Sequence, residues 1–111
     1  MIIAILTGQR PELLKRTIDA FVPYLTDNYV LVLHNGGDKP TARLLKKYKF
    51  IDKVITTPDF LPNGTAMSAI AKEVIKSGEH YFLMLEDDFE YQDPSNDWLN
   101  QAMKLLNHPT V

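Results

Sequence analysis

Three adjacent carboxylates, Glu86, Asp87 and Asp88, end a run of five large apolar residues from Tyr81 to Leu85. Like charges this close repel one another unless a cation or a proton relieves them. If the pleat of a strand persists through the triplet, Glu86, Asp88 and Glu90 share one face and Asp87 points to the other. Glu86 and Asp88 then face a single ion, and oxygen donors suit Mn²⁺ or Mg²⁺ together with the phosphates such an ion carries. The competing reading is a solvated strand end whose charges point into water.

The elements that must position this cluster are legible around it. The run from Tyr81 to Leu85 has the length and apolarity of a strand covered on both faces, as in a parallel sheet, and open α/β sheets bind ligands at the carboxyl ends of their strands. Ile2 to Leu6 and Tyr29 to Leu33 are apolar runs of the same kind. The first ends in Thr7-Gly8-Gln9-Arg10 and the second in His34-Asn35-Gly36-Gly37-Asp38, where the paired glycines serve a turn with positive φ. Pro11 and Glu12 open a helix whose apolar stripe is Leu14, Ile18, Phe21, Val22 and Leu25, and Pro23 is expected to fray or end it.

A second helix is expected from Pro40 to Tyr48, with Leu44, Leu45 and Tyr48 inward. Lys53 to Thr56 reads as a short strand, and the loop after it, punctuated by Pro58, Pro62, Asn63 and Gly64, is long for an α/β connection. Met67, Ile70, Ala71, Val74 and Ile75 mark a third helix stopped by Ser77-Gly78. A last helix starts at Ser95 and turns Trp98, Leu99, Ala102, Met103 and Leu106 to the core. His80 and His108 read as structural or inert. Strands separated by helix-length crossovers are parallel, so the order β-α-β-α-β-α-β-α predicts an α/β protein, a Rossmann-like three-layer α/β/α sandwich with a mostly parallel sheet.

Composition narrows the function. At 111 residues the chain is expected to form a single domain over residues 1–111. It has no cysteine, which excludes disulfides and thiolate chemistry and fits a reducing, cytoplasmic setting. A net charge of −2 gives no broad basic surface, so no nucleic-acid partner is expected. The apolar N-terminus lacks a basic flank and is too short to span a bilayer, so no membrane insertion is expected either.

Three segments, in their order and spacing, resemble one known family. The stretch Ile5-Leu6-Thr7-Gly8-Gln9-Arg10-Pro11-Glu12 is similar to the first strand and Thr-x-x-x-Arg-Pro turn of the N-terminal, nucleotide-binding half of glycosyltransferases with the GT-A fold, especially inverting family 2. Leu33-His34-Asn35-Gly36-Gly37-Asp38 resembles that family's turn after its second strand, and Leu85-Glu86-Asp87-Asp88 resembles its DxD motif. The resemblance implies a truncated GT-A (nucleotide-diphospho-sugar transferase) fold with strand order 3-2-1-4. It assigns metal binding, of Mn²⁺ or Mg²⁺, to Asp88 with Glu86. Glu86 and Asp87 hold ribose or a metal-bound water, and Thr7, Gln9, Arg10, His34, Asn35 and Asp38 line the nucleotide-sugar site.

The implied function is a metal-dependent glycosyltransferase, or its donor-binding half, acting on a nucleotide-sugar with UDP-sugars first among the candidates. His34 stands where the family usually has an Asp that recognises uracil, and Ala66-Met67-Ser68 stands where it commonly has Ala-Arg-Asn. The alternative is a non-catalytic nucleotide or nucleotide-sugar binding module. A sugar nucleotidyltransferase is disfavoured because the first loop lacks a glycine-rich phosphate cradle. No catalytic base is assigned; Glu90 and Asp93 are the nearest acidic residues in sequence. The order 3-2-1-4 leaves residues 81–85 at an edge, so a homo-oligomer formed through that edge, or cover by the last helix, is expected.

Overall fold

The computed structural model describes residues 1–79 and 81–87. Its elements are β1 (Ile2–Thr7), α1 (Pro11–Leu25), β2 (Tyr29–His34), α2 (Lys39–Leu45), β3 (Lys53–Thr56), α3 (Asn63–Ser77) and β4 (Phe82–Glu86). The four strands form one sheet in the order β3-β2-β1-β4, and every pairing is parallel. The described residues are therefore a Rossmann-like α/β fold with three helices. None of those helices is long and apolar enough to cross a membrane.

The all-apolar strands are the central ones. Every residue of β1 is buried, as are all of β2 but Tyr29, because both faces of these strands are covered. Ile3, Ile5, Val30 and Val32 pack with Leu14, Ile18 and Leu25 of α1 and Leu45 of α2. On the opposite face Ile2, Ala4, Leu6, Leu31 and Leu33 pack with α3. Each fully buried Leu or Ile contributes roughly 1.5–3 kcal/mol relative to exposure, so these two layers fix where the strand ends lie.

Four expectations need correction. Pro23 does not end α1, which runs on to Leu25; Pro23 is exposed and falls in the last turn, where a proline removes only one intrahelical bond, the one to the Asp19 carbonyl. α2 ends at Leu45 rather than Tyr48, because the chain tightens there. Lys47 N–H donates to the Leu44 carbonyl and Tyr48 N–H to that of Leu45, a 3₁₀-type closure that brings Tyr48 and Phe50 back against the core with their rings 5.6 Å apart.

α3 starts four residues before Met67, and its inward face is the narrow line of Ala66, Ile70 and Val74. Met67 and Ile75 lie outside it, Ile75 at 75% exposure, since α3 meets β1 and β2 along the single line of Ala66, Ile70 and Val74. The helix stops at Gly78 in the left-handed conformation, as expected. β4 runs from Phe82 to Glu86, one residue later than the expected Tyr81 to Leu85, and it does not have the burial expected of a strand covered on both faces: Phe82 is 37% exposed and only Leu85 of the strand is buried. Among the described residues β4 pairs with β1 alone, so it lacks the second neighbour that closes off a central strand.

Candidate functional site

The strand order reverses at β1, since the chain crosses from β1 to β2 on one side and returns as β4 on the other. Parallel sheets open a crevice at the carboxyl side of such a switch point. A small polar pocket lies there, between Thr7 at the end of β1, Gly8 and Arg10 after it, Asn35 after β2, Phe60 and Asn63 before and in the start of α3, and Glu86 at the end of β4. Thus three sequence-selected turns converge, and a fourth segment joins them.

The turns are locked together by backbone. Asn35 N–H donates to the Thr7 carbonyl at 2.7 Å. A Cβ on Gly8 would fall 2.2 Å from the Asn35 carbonyl oxygen, so only glycine lets the two turns approach this closely. The next residue, Gln9, is held at a left-handed φ of 64°, which costs a residue with a side chain on the order of 1 kcal/mol. Its N–H donates to Asp38 Oδ1 at 2.8 Å, and that bond holds the conformation.

Glu86 and Asp87 face opposite ways. Asp87 is fully buried on the α1 side, where Thr7 Oγ1 donates to Oδ2 at 3.1 Å and Arg10 Nη2 lies 2.7 Å from Oδ1. The arginine contact is an ion pair by distance, while Oδ1 receives no aligned hydrogen bond. Thr17 Oγ1 donates to the Asp87 carbonyl at 2.9 Å, tying the end of β4 to α1. Arg10 itself keeps 53% of its side-chain surface exposed. Glu86, by contrast, is half-buried and lines the pocket, and its carboxylate has no hydrogen bond or ion pair among the described residues.

The turn after β2 is saturated. His34 Nε2 lies 3.0 Å from Asp38 Oδ1, and Thr41 gives its N–H and its hydroxyl to Oδ2 at 3.1 and 2.6 Å. Asp38 is thereby the N-cap of α2. Burial opposes its charged form, but the hydrogen bonds from Thr41, His34 and Gln9 outweigh burial and hold the carboxyl well below the usual carboxylate range. The Asn35 amide is equally committed: Nδ2 donates to the Leu61 carbonyl, while Oδ1 accepts from Leu61 N–H and Thr57 Oγ1.

Of the residues selected from sequence, Thr7, Arg10, Asn35 and Glu86 therefore line one pocket, while His34, Asp38 and Asp87 are turned into internal bonds around it. Gln9 is exposed beside it. Asp88 lies outside the described residues, as do His80, Glu90, Asp93, Ser95, Trp98 and His108. Among the described residues no group of three or more potential ligands is placed to hold a metal ion, and Glu86 is the carboxylate left open to the pocket. Sequence reading passed over Thr17, Phe60 and Asn63. A threonine at a core-facing position of α1, and the unusual length of the loop after β3, were the signals available.

The fold and this edge define a parallel α/β domain with a polar pocket at its topological switch point. No family model, no curated protein and no solved structure matches the chain.

Proposed function

We propose that this edge binds a nucleoside-diphosphate sugar and that the chain is the donor-binding part of a metal-dependent glycosyltransferase of the GT-A type. The observation that supports the reading is the setting of Glu86: a carboxylate uncommitted among the described residues, at the switch point beside Arg10 and close to a β1 turn that the neighbouring turn clamps in place. Glu86 with Asp88 would hold Mn²⁺ or Mg²⁺, which supplies neutralisation of the charge that builds on the leaving diphosphate. Arg10, anchored by Asp87 yet half in solvent, meets a phosphate oxygen with its remaining donors. Phe60, exposed at the pocket rim, offers a ring face to a flat base. Asp87, Asn35 and Asp38 hold the frame.

The commitment of those three side chains favours a second reading, a module that binds the nucleotide without turnover. Calorimetry of UDP in the presence of Mn²⁺ tests the shared part of both. Binding is expected in Mn²⁺, lost in excess chelator, and weakened at least tenfold by Glu86→Gln. Affinity indifferent to chelator and to that substitution would reject the donor site. Metal-dependent release of UDP from a UDP-sugar separates the enzyme from the binding module.

A further inference from the structure

A groove of about 380 Å³ opens between the end of α2 and the edge strand β3, and it shares no residue with the carboxyl-edge pocket. Its walls are mostly apolar, from Ala42, Leu45, Tyr48, Ile51 and Val54, with buried His34 also in the lining, and exposed Lys46 and Lys49 stand on its rim. Both lysines are exposed, and neither side chain has an ion pair or hydrogen bond among the described residues. The nearby acids are spent elsewhere: Asp52 accepts from Val30 N–H, and Asp38 caps α2. Residues 39–53 carry Lys39, Arg43, Lys46, Lys47, Lys49 and Lys53 against the single acid Asp52. In a chain of net charge −2 this is a local reversal of sign, and such a field concentrates anions.

We propose that this groove is a second ligand site, taking a small molecule with a flat apolar body and one anionic head, a carboxylate, sulfonate or phosphate. The size fits: small-molecule sites run from roughly 300 to 1,000 Å³ and an apolar cavity of about 150 Å³ holds one benzene, so two fused rings can be accommodated. The charge fits, because a ring body in the groove leaves its head between Lys46 and Lys49. Thr56, also in the lining, adds one orienting group, a hydroxyl with no partner among the described residues. An extended peptide added to β3 is the less favoured occupant. β3 is only four residues long and carries Lys53, paired with Glu73, and short lysine-bearing edges resist strand addition.

The probe is naphthalene-2-carboxylate, with the uncharged naphthalene-2-carboxamide as control, titrated into ¹⁵N-labelled protein and followed by amide shifts. The carboxylate should shift residues 42–56 and bind about tenfold more tightly than the amide at low salt, a difference that shrinks at high salt. Lys46→Glu with Lys49→Glu should weaken the carboxylate about tenfold, in line with two exposed charge pairs lost and reversed, and leave the amide unchanged. Ala42→Phe, which fills the groove, should remove both, with circular dichroism checking that α2 persists. Equal affinity for carboxylate and amide, or shifts centred elsewhere, would overturn the proposal. So would groove shifts that grow with protein concentration in the absence of probe, which place a second copy there, or a short acidic peptide that outcompetes the naphthoate.

Discussion

The turn after β2 and the end of β4 lie side by side at the carboxyl edge of the sheet, and both carry the polar residues that chemistry uses. They spend them differently. In the β2 turn every selected side chain is consumed: Asp38 accepts from Gln9, Thr41 and His34, and Asn35 bonds Leu61 and Thr57. At the end of β4 two neighbouring carboxylates are divided, Asp87 buried against Thr7 and Arg10, Glu86 open to the pocket. Residue type and strand position bring a group to an edge, but its availability depends on how many donors already hold it. The β2 turn is thus scaffold, and Glu86 with Arg10 is the part of the described edge free to meet a ligand.

The comparison breaks first at Gly8, the contact between the two regions. Gly8→Ala should cost about 3 kcal/mol in urea denaturation, because backbone must move to admit the methyl group, whereas Gly64→Ala, with open space around it, should be neutral or slightly stabilising. Equal effects at the two glycines would mean the turns are not clamped. Asp87→Ala should cost about 2 kcal/mol, since the buried Thr7 hydroxyl loses its acceptor and Arg10 its anchor; a loss no larger than that of an ordinary surface change would place Asp87 among the free groups.

A smaller effect separates the regions by pH. The Asp38 carboxyl titrates below its ordinary value of 3.8 in the folded chain, so the stability it contributes is complete above about pH 4 and is lost as pH falls through the folded value. Asp38→Asn, which can still cap a helix, should therefore flatten that part of the acid limb of a stability-versus-pH curve. An unchanged limb would show that the β2 turn does not depend on the charge.

Much of the fold was legible because it rests on pattern. Runs such as Ile2 to Leu6 and Tyr29 to Leu33 specify strands buried on both faces, and helix-length crossovers between them fix parallel pairing, whereas the order β3-β2-β1-β4 was expected from the family resemblance and not from the pattern. What pattern could not show was packing. Ile75 matches the helical period of α3 but falls beyond the strip that meets the sheet, and Pro23 sits on the exposed side of the last turn of α1 without ending it. At the site, the sequence brought Thr7, Arg10, Asn35 and Glu86 to one edge, and the pleat separates Asp87 from Glu86. The commitment of His34, Asn35 and Asp38 was hidden because their partners, Thr41, Thr57, Leu61 and Gln9, are ordinary loop and helix-start residues. Their hydrogen bonds depend on where the loops close in space.

The most direct measurement compares Glu86→Gln with Asp87→Asn in paired calorimetric and urea titrations. Glu86→Gln should leave stability within about 0.5 kcal/mol of the parent and weaken Mn²⁺-dependent UDP binding at least tenfold, while Asp87→Asn should lower stability. Undiminished UDP affinity in a folded Glu86→Gln protein would contradict the account.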